Sequence, residues 1–97
     1  MSVRAATVQV QPEKKQELID LFKDTMAPVI EAKKGFQGQY LMTDAGSGKA
    51  LTFSFWETEE DVLATEYLPE QVRAKFGSIF AGSPSYDQYE LSYETSA

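Results

Sequence analysis

The sequence predicts an α+β domain of order β-α-β-β-α-β, an antiparallel sheet with helices on one face, and three observations carry that prediction. Segments of alternating polarity bracket two stretches whose apolar residues recur every three or four positions, which sets the element order. The chain has 97 residues, 42% of them hydrophobic, enough for one core between two layers and too few for a second domain, so residues 1–97 are read as a single unit. The third strand carries no charge on either side, although the helices of so small a chain can shield only one side. A second copy is therefore expected against the other, making the protein a homodimer.

Val3 to Gln11 alternates loosely and is rich in Val, Thr and Ala, the pattern of a first strand. Pro12 ends it. Proline suits a first helical turn and Glu13 favours the helix dipole, so a helix is expected from there towards Lys34. Its apolar stripe is Leu18, Leu21, Phe22, Met26, Val29 and Ile30. Pro28 lies inside the stripe, where it lacks an N–H and crowds the preceding turn at a cost of about 3 kcal/mol in a regular helix, so a kink or break is expected near Ala27. Gly35 reads as the helix stop.

Phe36 to Thr43 is the second strand, Asp44 to Gly48 a turn, and Ala50 to Trp56 the third strand. Strand parity puts Leu51, Phe53 and Phe55 on one face, and Thr52, Ser54 and Trp56 on the other. Thr58 is placed to cap a short helix, with Asp61 three residues on. Pro69 opens a further helix whose stripe is Val72, Phe76, Ile79 and Phe80, terminated by Gly82 and Pro84. Tyr86 to Glu94 is the last strand; Tyr89, Leu91 and Tyr93 alternate with polar residues, as at a sheet edge with one wet side.

Fifteen acidic residues against nine basic ones give a net charge of −6, which argues against nucleic acid and anionic membranes as partners. With no cysteine, disulfides, thiolate metal sites and cysteine nucleophiles are excluded. With no histidine, so are Ser-His-Asp triads, histidine-ligated haem and histidine-containing zinc sites within one chain. No stretch approaches bilayer-spanning length and the N-terminus lacks the pattern of a secretory leader, so the cytoplasm is the expected location. Glu57, Glu59, Glu60 and Asp61 are acids expected in a first helical turn, and adjacent residues do not converge on one cation, so no metal site is expected. Gly46-Ser47-Gly48-Lys49 resembles a phosphate loop only superficially: Thr43 and Ala50 stand where glycine and a hydroxyl residue are required, and a strand follows in place of a helix.

The run Gly35-Phe36-Gln37-Gly38-Gln39-Tyr40, a turn, then Leu51-Thr52-Phe53-Ser54-Phe55-Trp56-Glu57-Thr58-Glu59-Glu60-Asp61 resembles the antibiotic-biosynthesis-monooxygenase-like domains, as does the element order over nearly the whole chain. The resemblance implies a ferredoxin-like fold whose sheets pack face to face across a dimer as a dimeric α+β barrel. It also implies cofactor-independent oxygenation of polycyclic phenols or quinol-like substrates, or haem degradation. The haem degraders of that family use a histidine from the second helical region, an asparagine on the first strand and the tryptophan ending the third. Only Trp56 matches here, and the chain contains neither histidine nor asparagine, which disfavours haem degradation. The oxygenase branch commonly uses an asparagine near the substrate; Thr52 or Ser54 would have to stand in for it.

The candidate site is an apolar cleft between helices and sheet lined by Phe22, Met26, Tyr40, Phe53, Phe76 and Phe80. Trp56 offers a flat wall and one hydrogen-bond donor, Tyr40 or Thr52 a hydroxyl to polarise a substrate oxygen, Tyr67 a further phenol, and Arg73 a cation for an anionic or carbonyl oxygen. Each has a plainer reading, since buried aromatics are core first and a helical arginine is usually solvated. The expected function is that of a homodimeric, metal-free, cofactor-independent monooxygenase-like protein acting on a small aromatic or quinol-type substrate. The alternatives are a non-catalytic dimer that binds a small apolar ligand or serves as a stress-related module, and an isomerase or decarboxylase on the same fold.

Overall fold

The computed structural model describes every residue except Ala45, residues 65–69 and Ala97. Strands β1 (Ser2–Gln9), β2 (Phe36–Thr43), β3 (Lys49–Trp56) and β4 (Ser85–Glu90) form one antiparallel sheet in the order β2-β3-β1-β4. Helical segments follow β1 and β3 and pack on one side of it, the ferredoxin-like α+β arrangement expected from the element order.

The first helical region is a 3-10 turn (Pro12–Lys14), α1 (Lys15–Leu21), a π-helical turn (Phe22–Met26) and α2 (Ala27–Glu31). The disturbance expected near Ala27 is a π-helical turn that ends at Met26, and the helix runs on through Ala27 without a break. In a regular helix residue 28 would donate to the carbonyl of Asp24, and the proline ring crowds that carbonyl. The backbone widens one turn earlier instead, and the Ala27 N–H donates to Phe22 O, five residues back. Leu18, Phe22, Met26 and Ile30 are spaced strictly by four, which in an α-helix drifts by about 40° per interval. The wide turn takes up that drift, and all four side chains line the same cavity.

After α2 the chain turns at Gly35, whose φ of 83° suits glycine. A Cβ there would collide with the side chain of Asp61, which is buried on α3 (Glu59–Leu63). Thr58 caps α3 as expected, its Oγ1 accepting from the Asp61 N–H at 3.2 Å. Gly35→Ala is expected to lose about 1–2 kcal/mol from backbone conformation alone, and more from the collision, read as a lower urea midpoint. The phosphate-loop lookalike is the β2–β3 hairpin, where the Asp44 N–H donates to Lys49 O at 2.8 Å. There the Ser47 hydroxyl and then the Gly46 N–H hold the Asp44 carboxyl below its ordinary pKa.

The core lies between sheet and helices in two clusters. One gathers Val8, Val10, Leu18, Phe22, Phe76 and Ile79 beneath α1 and α4 (Glu70–Gly77). The other gathers Ile30, Trp56 and Val62, with Trp56 wholly buried and edge-on to Phe36 at 5.6 Å. The last strand is shorter than expected and exposed along its length, because β4 is an edge; Tyr89 and Tyr93 are both exposed, so the alternation in that segment creates no dry side within one chain.

Antiparallel pairing fixes the opposite face. Val3, Ala5, Tyr40, Met42, Leu51, Phe53 and Phe55 share it, and no helix among the described residues covers it. Charge is confined to its margins, with Lys49 at the hairpin end and Asp87 on the edge strand. Tyr40 remains 63% exposed even though it meets Phe55 edge-on at 5.9 Å.

Candidate functional site

A cavity of about 530 Å3 lies between the helices and the covered face of the sheet, within the usual range for small-molecule sites. Its floor comes from alternate residues of each strand: Gln39 and Leu41 of β2, Thr52 and Ser54 of β3, Arg4, Ala6 and Val8 of β1, and Tyr86 of β4. Phe22 and Met26 form the wall on the first helical side; Arg73, Phe76 and Phe80 form the other. Phe76 and Phe80 meet at 5.9 Å, one turn apart. A shallower hollow of about 450 Å3, between Met1, Ser2, Glu59 and β4, is polar and lacks apolar walls to exclude water.

Six expected residues thus meet at one cavity: Thr52, Phe22, Met26, Arg73, Phe76 and Phe80. Tyr40 and Phe53 do not. They lie opposite each other on β2 and β3, on the uncovered face, because each differs by one position from the cavity-facing Gln39, Leu41, Thr52 and Ser54. Their assignment to the cleft is corrected accordingly. Trp56 has the parity of the cavity floor but sits beyond its end, in the core between Ile30 and Val62, and forms no part of the wall. It touches the site through a neighbour: its Nε1–H donates to Ser54 Oγ at 2.8 Å. With its oxygen accepting that bond, the Ser54 hydroxyl hydrogen is directed away from Trp56, while Ser54 itself lines the cavity. Tyr67 lies outside the described residues.

The cavity also holds residues the sequence did not single out: Arg4, Gln39 and Tyr86. Arg4 lies over the Tyr86 ring, its guanidinium carbon 4.6 Å from the ring centroid. A signal for Arg4 existed, since it shares parity with Val8 and Val10, which are both core residues. Gln39 and Tyr86 become visible only once strand register is known.

The arrangement can enclose a flat apolar body and offer donors to its oxygens from Thr52, Ser54, Gln39 and the arginines. Among the described residues, no group of three or more acidic, histidine or cysteine side chains is placed to share a metal ion. No helix among them is long and apolar enough to cross a membrane.

The sequence profile of the family described as Antibiotic biosynthesis monooxygenase matches residues 1–75. An uncharacterized protein of Mycobacterium tuberculosis is 28% identical over 88 residues, which cover 91% of this chain and 39% of that protein. This chain therefore corresponds to well under half the length of that relative. In fold it is similar to a monooxygenase of Streptomyces coelicolor solved with the ligand nanaomycin D, with a TM-score of 0.82 and 16% identity over 99% of this chain and 91% of that one. It is also similar to a haem degrader of M. tuberculosis holding two haems, with a TM-score of 0.76 and 22% identity over 99% of this chain and all of that one.

Proposed function

The chain belongs to the antibiotic biosynthesis monooxygenase family, and from that premise we propose that it is a cofactor-independent monooxygenase-like protein acting on a small aromatic or quinol-type substrate in the helix–sheet cavity. The supporting observation is the cavity itself, a space of about 530 Å3 walled by Phe22, Phe76 and Phe80 over a floor carrying Ser54 and Thr52. The aromatic walls exclude water from the bound ring, and the hydroxyls and arginines stabilise the substrate oxyanion. That anion, not a bound cofactor, supplies electrons to oxygen. Trp56 acts as a positioning residue, fixing the Ser54 hydroxyl. Two copies pair through the uncovered sheet faces, leaving one cavity in each subunit.

Oxygen uptake tests this reading, using a panel of benzene and naphthalene hydroquinones with no added flavin or metal. Protein-dependent uptake above autoxidation is expected, and Ser54→Ala should slow it by about 10–100-fold through loss of one oxyanion donor. One observation favours a second reading, a non-catalytic module that binds an apolar ligand: the chain has neither histidine nor asparagine to offer the cavity. Binding of the panel without any accelerated uptake selects that reading.

A further inference from the structure

The floor of the cavity is polar where it approaches Trp56. Gln39 of β2 pairs there with Ser54 of β3, and both line the cavity. Towards the β2–β3 hairpin the floor continues as Leu41, Thr52 and Ala6, and then Val8. The first helical wall runs the same way, from Leu18, which packs with Val10 and Ala50, to Ile30, which packs with Trp56. A bound ring therefore meets apolar surface on the hairpin side, and the Gln39–Ser54 pair on the other.

Both polar side chains are held by residues that do not line the cavity. Trp56 Nε1–H donates to Ser54 Oγ at 2.8 Å, and Gln39 Nε2–H donates to Glu31 Oε1, on α2, at 3.5 Å. A carboxylate only accepts, so the Gln39 amide turns its nitrogen to Glu31 and its carbonyl away from it. Among the described residues, neither Gln39 Oε1 nor the Ser54 hydroxyl hydrogen has a further partner. No carboxylate lines the cavity among them, so Gln39 Oε1 is the one lining side-chain oxygen that accepts without also donating. The floor thus presents a donor beside an acceptor, on Cβ atoms about 5 Å apart. We infer that Gln39 sets specificity and that the ligand is an aromatic diol with hydroxyls on adjacent ring carbons. The oxygen that ionises accepts from Ser54, and the neighbouring hydroxyl keeps its proton and donates to Gln39 Oε1. An ether at that second position would leave the Gln39 carbonyl facing another acceptor in an apolar cavity, which is costly. Glu31 is a positioning residue, acting through Gln39. This rests on the cavity being the substrate site, and adds to it the substitution pattern of the ring.

Calorimetric titration under nitrogen with 2,3-dihydroxynaphthalene and with 3-methoxy-2-naphthol tests the inference, because neither probe needs to react. The two carry oxygens at the same positions and differ in one hydrogen-bond donor. The diol is expected to bind at least about 5-fold more tightly, as loss of one hydrogen bond with its acceptor left unpaired implies. Gln39→Leu should bring the two affinities together. Glu31→Ala should shrink the preference in the same direction by letting the Gln39 amide turn; Glu31 is exposed, so this variant keeps the test valid even if Gln39→Leu fails to fold. Equal binding of diol and ether by the unaltered chain, or a preference unchanged in either variant, overturns the diol assignment and leaves the oxygenase reading standing. Binding of neither probe removes the cavity as an aromatic site, and both proposals with it.

Discussion

Trp56→Ala is expected to destabilise the chain by about 3–5 kcal/mol, the usual cost of deleting a large buried aromatic. Trp56 is fully buried, packs with Ile30 and Val62, meets Phe36 edge-on and donates to Ser54. Small domains hold about 5–15 kcal/mol in all, so the variant should unfold at far lower urea concentrations. That loss alone would not identify a functional role. Trp56→Phe separates the two contributions: it keeps most of the packing, removes the indole N–H and frees the Ser54 hydroxyl to rotate. We expect it to cost about 1 kcal/mol in stability, yet to weaken ligand binding or turnover by about as much as Ser54→Ala. A Trp56→Phe variant with unchanged binding and turnover would reduce Trp56 to a core residue.

Phe53→Lys is the second large effect. Phe53 lies on β3 near the middle of the uncovered face, opposite Tyr40 and Ala5. A lysine there costs little in a lone subunit, where its stem can lie along the sheet and its ammonium reach water. At a two-fold interface the same change buries unpaired charge from both copies, at several kcal/mol. Light scattering should therefore show a dimer for the unaltered chain and a monomer for the variant, with near-equal far-ultraviolet dichroism. Two monomers in that comparison would mean that the uncovered face has no partner of its own kind. Because the cavity is on the opposite side of the sheet, the monomeric variant should retain ligand affinity within about two-fold.

The element order and the two faces of β3 were legible in the sequence because strand parity and helical spacing are local. Ala50, Thr52, Ser54 and Trp56 do face the helices, and Leu51, Phe53 and Phe55 face away. Placing Tyr40 in the cleft required register, which follows from the bulge between Phe36 and Gly38, where β2 slips by one residue against β3. Counted from Phe36 without the bulge, Tyr40 has the cavity-facing parity; beyond it, Gln39 and Leu41 take that side. Arg4 was missed for a different reason, since an arginine in an alternating strand is ordinarily the wet side, and only its companions Val8 and Val10 reveal the core face. Pro28 marked a disturbance correctly, but local chemistry does not say whether a helix breaks or widens. The even spacing of Leu18, Phe22, Met26 and Ile30 was the clue to widening.

The proposed activity requires an aromatic ligand in the space between helices and sheet. Amide chemical shifts during titration with 2-naphthol test that most directly, since the two sheet faces carry different residues of the same strands. The largest changes are expected at Thr52, Ser54, Ala6 and Gly77, with the indole N–H of Trp56 moving with them. Changes concentrated instead at Tyr40, Met42 and Phe55 would place the ligand on the opposite face and contradict the site.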